Sequence, residues 1–359
     1  MASKATSDKL DRARVDRFTR TVMRDNAAVF FGAMTYLGSR LEIFESMAGQ
    51  GPMTAAQLAE RSGVNERYLR EWLGAMVAAG YVELDESTGE YHLPGEHAMV
   101  LADRDSPLYM AGLLRMTVPL MKMVPQLEEV FRSGGGIATA DYPPEFFEAR
   151  DMESRPRYMY HLVRKWLPQM PAIHERLQRG CRVIDIGCGG GYALISMAST
   201  YPSSQFTGSD LHDLSIEKAR SNAAEAGLAE HLEFAVADGV PDELGKFDLV
   251  TTFDVVHDSP DPDALLRSIR EGLAEGGIYL MVELNASSRV EDNISDWGKM
   301  LYSLSTMFCM TTSLADGGAG IGALMGEDTA RELAYEAGFR SFEKLPLDDE
   351  YFAFYQLKA

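Results

Sequence analysis

The stretch VIDIGCGGGYALISMA, residues 183–198, decides how this chain is read. An apolar run is interrupted by Asp185, passes into a loop carrying Gly187, Gly189, Gly190 and Gly191, and resumes as apolar residues at helical spacing. Strand, bare turn and helix in that order form the first turn of an open parallel sheet. In such sheets ligands sit beyond the carboxyl ends of the strands, and glycine lets the backbone come close to them. The loop fits neither common phosphate-binding pattern. A G-x-G-x-x-G loop starting at Gly187 would need its third glycine where Tyr192 stands, and a P-loop would need a lysine, of which there is none between 166 and 217. A carboxylate at the strand end repels a pyrophosphate and attracts an amine or another cationic centre.

The residues beyond this turn agree with such a sheet. CRVIDI, SQFTGSD, LEFAVAD, FDLVTTFD and GIYLMVELN read as strands, with helices between them at ALISMASTY, SIEKARSNAAEAG and PDALLRSIREGLAEG. Near-continuous apolar strands alternating with helices predict an α/β architecture, a parallel sheet covered on both faces. A helix, EDTARELAYEAGF, and a strand pair around SFEKLPL and YFAFYQLK follow.

Toward the N-terminus the pattern changes. Thr54 and Gln57 have capping-box spacing at the start of one helix, and Asn65 caps a second in which Leu69, Trp72, Leu73, Met76 and Val77 share a face and Gly80 suits the end. YVELDESTGEYHL reads as two strands around a turn at 87–89. Two helices and a hairpin predict a mainly helical winged helix-turn-helix domain within residues 1–105. The exposed positions of its second helix hold Glu66, Arg67, Arg70 and Glu71, without the excess of Arg, Lys, Asn or Gln that reads a major groove. Residues 106–175 read as a helical connector. It has a Met-rich stretch suited to cover an apolar pocket, a flexible joint at RSGGG, and the helix RYMYHLVRKWLPQM ending near Pro171.

Composition bounds the function. The chain has 359 residues, 46% apolar and 25% charged, ordinary for a globular protein and long enough for two domains. No apolar run approaches the roughly 18 residues of a membrane span, and MASKATSDKLDRARVDRFTR is too charged for a secretory signal, so a cytoplasmic location is expected. A formal charge of −20 repels phosphate polymers and anionic lipid, which argues against nucleic-acid and membrane partners. Cys181, Cys188 and Cys309 lack zinc-site spacing and an even count, so free thiols and no metal are expected.

The D-x-G-x-G-x-G segment at 185–191 resembles the first motif of class I S-adenosylmethionine-dependent methyltransferases, whose cofactor carries an ammonium, a sulfonium and a ribose diol but no phosphate. Further residues follow at that family's intervals. Asp210, with Leu211 beside it, ends the second strand at the ribose position; Asp238 and Gly239 in VADG resemble the adenine-binding turn; Phe253 and Asp254 end the fourth strand. The resemblance implies a Rossmann-like, seven-stranded, doubly wound sheet over 176–359 with a lid insertion at 286–326. It also implies S-adenosyl-L-methionine as cofactor and S-adenosyl-L-homocysteine as product. FDVVHDSPDPDALL, 253–266, resembles the region holding the catalytic base of small-molecule O-methyltransferases and implies that role for His257, although Ser259-Pro260 replaces a tryptophan-containing stretch. Those enzymes carry an N-terminal winged helix used for dimerisation. EIFESM, YLREWL, YHLPGEHAMVL and YSLSTMFCMTTSLADGGAGIGALMG are similar to a bacterial branch with this layout. A small-molecule substrate and a homodimer are therefore implied.

An imidazole with a pKa near 6.5 is suited to take a proton from a hydroxyl, whereas a thiol with a pKa of about 8.5 needs less help. Oxygen is the expected acceptor and sulfur the alternative. The competing class is a winged-helix regulator that senses a ligand through its C-terminal domain. Tyr160, Met300, Tyr302 and Cys309 are expected to line the substrate pocket, and GGAGIG, 317–322, to act as a lid hinge.

Overall fold

The structure is a computed structural model that describes residues 10–359; the first nine residues of the charged N-terminal stretch lie outside them. The described chain divides into two compact units, the first ending at Val118 and the second beginning at Pro119. The connector expected over 106–175 is thereby shared between them.

The first unit contains α1 (Arg12–Arg40), α2 (Ile43–Met47), α3 (Ala55–Ser62), α4 (Glu66–Ala78) and a hairpin of β1 (Glu83–Asp85) and β2 (Glu90–His92). Thr54 and Gln57 exchange side-chain and backbone hydrogen bonds, and Asn65 accepts from the Arg67 and Tyr68 amides, so both helix starts have their free N–H groups satisfied. α4 buries Leu69, Trp72, Leu73 and Met76 against Phe44 and Leu58, and the Trp72 indole donates to the Met34 carbonyl of α1 at 2.8 Å. The outer face of α4 is self-neutralised, with Arg67 paired to Glu71 and Arg70 to Glu66. α1 leaves Phe18, Met23 and Phe30 exposed.

The second unit is a seven-stranded sheet of β3 (Arg182–Ile186), β4 (Gln205–Asp210), β5 (Leu232–Val236), β6 (Phe247–Phe253), β7 (Leu273–Leu284), β8 (Ser341–Lys344) and β9 (Phe352–Lys358). Their order is β5-β4-β3-β6-β7-β9-β8; β3 to β7 run parallel, while β9 is antiparallel to β7 and β8. β3 lies between β4 and β6, so the connections leave in opposite directions at its carboxyl end and open a crevice there. The strands are apolar on both sides because both sides are covered. Val183 packs with Leu194 and Met197 on one face, and Ile184 and Ile186 pack with Leu265, Ile269 and Ala334 on the other.

Three details differ from the sequence reading. The helix expected over PDALLRSIREGLAEG stops at Gly272, because Leu273 is extended, buried and paired with Phe247 at the start of β7. RYMYHLVRKW is π-helical over Arg157–Trp166, and a separate helix, Pro171–Arg179, begins at the proline. The joint at RSGGG is docked: the Ile137 amide donates to the Thr311 carbonyl, and a Cβ on Gly136 would stand 1.9 Å from that oxygen.

Candidate active site

Asp185 reaches the crevice from β3 with 2% of its surface exposed. The register sets Thr251 of β6 opposite it, and the Thr251 hydroxyl donates to Asp185 Oδ1 at 2.7 Å. Burial, together with the charge of Asp210, raises the Asp185 carboxyl to about 7 despite that hydrogen bond. Next to it Gly187, Gly189 and Gly191 all take positive φ, a conformation that side chains disfavour, and the loop presents bare backbone as a result. Asp210 closes β4 and accepts the Gly189 and His212 amides at 3.0 and 2.9 Å, which ties the loop to the second strand. Leu211 beside it is half exposed; Asp238, beyond β5, is exposed; Gly239 accepts the Ser209 hydroxyl. Phe253 ends β6 and is buried, and Asp254 follows with φ of 65° and a buried Oδ1 that has no hydrogen-bond partner. The sheet edge thus offers a carboxylate that lacks a counter-charge, an Asp254 oxygen without a hydrogen bond that stands 3.6 Å from His257 Nδ1, and open backbone. Those features fit the ammonium, diol and sulfonium of S-adenosylmethionine.

His257 lies in the segment after β6 and is 2% exposed. Its Nδ1 stands 2.7 Å from Glu283 Oε2, and Glu283 Oε1 accepts the Val255 and Val256 amides. An ionised Glu283 has only acceptors to offer, so Nδ1 carries the hydrogen and Nε2 is left as the basic atom. Burial disfavours the imidazolium, but Glu283 and Cys309 outweigh it and raise His257 well above its usual value. Cys309 and Asp258 also come to this ring, their ligand-type atoms and a His257 nitrogen lying within 4.8 Å of one another. Burial pushes the Asp258 carboxyl up to about 6, against the pull of His257 and Arg150. Asp258 is the next residue in the chain after His257, Cys309 comes from the helix Cys309–Ala315, and a second group of the same kind joins Asp254, His257 and Glu283.

The insertion is held down over this region. Gly322 donates its amide to the His257 carbonyl, Ala319 donates to Pro260, and a Cβ on Gly318 would meet Pro260 at 2.5 Å. GGAGIG is therefore a strap packed on the His257 segment, and the hinge reading gives way to close backbone contact. Of the expected pocket residues, Cys309 is brought to His257. Tyr302 instead lines an open groove with Val124, Leu127 and Phe131. Tyr160 lies beneath the Arg164 guanidinium, and Met300 is partly buried in the helix Asp296–Met307.

Three residues of the site were missed in the sequence. Glu283 is the lone acid in the apolar run GIYLMVEL, and an acid in a buried strand is itself a signal, since a buried charge needs a partner. Asp151 reaches the glycine loop from the helix Pro144–Pro156: it accepts the Tyr192 hydroxyl at 3.1 Å, and a Cβ on Gly190 would collide with its Oδ1. Arg150 precedes it on the same helix. Nothing in the local sequence marks these last two, because only the fold of 119–175 brings their helix to the crevice.

Comparison with known proteins agrees with this geometry. Residues 177–338 match the family described as Methyltransferase domain, and residues 29–103 match the Rv2258c-like winged HTH domain. Curated relatives include a ubiquinone biosynthesis O-methyltransferase of Bordetella avium, 28% identical over 141 residues that cover 39% of this chain and 56% of that protein. Another of the same description, from Xanthomonas axonopodis pv. citri, is 35% identical over 115 residues, 32% of this chain and 47% of that protein. The matched segments span about half the length of these relatives. Among solved structures, mitomycin 7-O-methyltransferase has a TM-score of 0.73 at 20% identity, covering 97% of this chain and 100% of that one. Human N-acetylserotonin methyltransferase, solved with S-adenosylmethionine, has 0.72 at 19%, covering 99% of each. These likenesses show the fold alone. The chain thus carries a methyltransferase domain at 177–338 behind a winged helix-turn-helix domain at 29–103.

Proposed function

We propose that this protein transfers a methyl group from S-adenosylmethionine to an oxygen of a small-molecule acceptor, with His257 as general base. The observation that carries the reading is the buried His257–Glu283 pair beside the carboxyl end of β6. The cofactor supplies an electrophilic methyl on a sulfonium. Asp185, Asp210 and the glycine loop hold and orient it, with Leu211, Asp238, Gly239, Phe253 and Asp254 around the nucleoside. His257 Nε2 takes the hydroxyl proton, and Glu283 fixes the ring and stabilises the imidazolium that forms. The strap at 317–322 keeps bulk water from the reacting atoms. Calorimetry with S-adenosylhomocysteine, followed by product-release assays on hydroxylated metabolites, tests the reading; absence of heat with that ligand would remove it.

The paired charges on the outer face of α4 favour a scaffolding role for the winged helix over duplex recognition. Among the described residues no helix is long and apolar enough to cross a membrane. The three unpaired cysteines favour a reducing, cytoplasmic setting. We assign dimerisation to α1, where Val15, Phe18, Val22 and Val29 are exposed along one face and Met23 and Phe30 are exposed on another. So many large apolar side chains are seldom left in water along one helix. The double substitution Phe18→Asp and Phe30→Asp is expected to halve the mass measured by light scattering at micromolar concentration. An unchanged mass would place the subunit contact elsewhere.

A further inference from the structure

Arg150 has no part in the reaction as derived so far. Its guanidinium carbon lies 4.8 Å from the centroid of Phe308. Phe308 belongs to a wall of rings with Phe146, Tyr142 and Phe147, whose centroids are 4.7, 5.1 and 6.5 Å away. Cys309, the next residue, reaches His257, and the charges of Asp258, Cys309 and Asp254 act on Arg150. The guanidinium therefore stands at the edge of a buried aromatic cluster, within the field of the acids near the basic pair.

Its donors are unused. Among the described residues the Arg150 side chain donates no hydrogen bond and has no carboxylate oxygen within 4.0 Å, although it is partly buried. Other arginines of this unit are engaged: Arg157 pairs with Glu153, while Arg176 and Arg182 each donate to two backbone carbonyls. None of its nitrogens is among the buried atoms that lack a partner, so the donors remain open to a ligand, and their planar fork matches the two oxygens of a carboxylate. Asp258 does not fill that place, since its carboxylate oxygens lie beyond 4.0 Å from the Arg150 nitrogens.

We propose that Arg150 binds an anionic group on the methyl acceptor, which is a hydroxylated aromatic acid. Its carboxylate forks onto Arg150, its ring spans from there toward the segment after β6, and its hydroxyl faces His257. This rests on the methyl-transfer reading of the same site. In the step itself the sulfonium carbon–sulfur bond breaks as the new oxygen–carbon bond forms. The hydroxyl proton passes to His257 Nε2, and the carboxylate is unchanged.

The test uses the full chain saturated with S-adenosylhomocysteine, titrated calorimetrically with hydroxyaryl carboxylates of one, two and three rings and with their carboxamides. On the best-fitting scaffold the acid is expected to bind about tenfold or more tightly than the amide, the scale of a charge-assisted pair. Arg150→Gln is expected to abolish that preference, Arg150→Lys to keep part of it, and neither to change affinity for S-adenosylhomocysteine. Equal affinity for acid and amide on every scaffold, including failure of both to bind, overturns the proposal, as does a preference that survives in Arg150→Gln. Heat with S-adenosylhomocysteine but no acid preference removes the anion site alone. No heat with S-adenosylhomocysteine removes the methyl-transfer reading with it.

Discussion

Replacing His257 by alanine is expected to lower turnover about 10²- to 10⁴-fold while leaving affinity for S-adenosylhomocysteine within a few-fold. The imidazole is held by Glu283 on one nitrogen, so its loss removes the proton acceptor and leaves the glycine loop and Asp210 intact. Glu283→Gln provides the finer readout. Glu283, with Cys309, raises the His257 pKa against the effect of burial, so a neutral amide at 283 lets that pKa fall. A general base works when deprotonated. The wild-type rate is therefore expected to climb with pH through the raised His257 value, and the rising limb of the variant to move to lower pH with a reduced plateau. A merely structural glutamate would lower the plateau without moving the limb. Turnover that survives in His257→Ala would show that proximity suffices, the behaviour expected of a thiol acceptor, whose thiolate is already partly available.

The sheet and the acids and glycines at its carboxyl edge were legible because each carries a local signal. Asp185 and the glycines share one turn, Asp210 and Asp254 close their strands, and the caps at Thr54 and Asn65 satisfy amides within a few residues. The residues that shape the acceptor side were not legible. Glu283 stands 26 residues from His257, and Arg150 comes from a helix whose place depends on how 119–175 folds onto the sheet. GGAGIG reads as a hinge by composition, since glycine frees a chain. Here the same missing side chains serve contact with Pro260, a use that only the packed structure distinguishes.

Affinity for S-adenosylmethionine is expected to be about tenfold weaker at pH 6 than at pH 8, through Asp185. A carboxyl with a pKa of about 7 is roughly one-tenth ionised at the lower pH and nine-tenths at the higher, and only the ionised form offers a charge to the cofactor's amine. Asp185→Asn is expected to flatten this dependence and to weaken binding about tenfold or more at pH 8. 5′-Methylthioadenosine, which lacks the amine, is expected to bind alike at both pH values. The ligand-free fold should respond in the opposite sense. Burial holds the Asp185 pKa above its unfolded value of 3.8, so the folded chain retains a proton that the unfolded chain releases. That costs stability progressively as pH rises from about 4 to about 7. Asp185→Asn should accordingly raise the melting temperature of the ligand-free protein at pH 8 and change it little at pH 4. Cofactor binding independent of pH in the wild type would mean that the amine is held by other groups, with Asp151 at the glycine loop the next to replace.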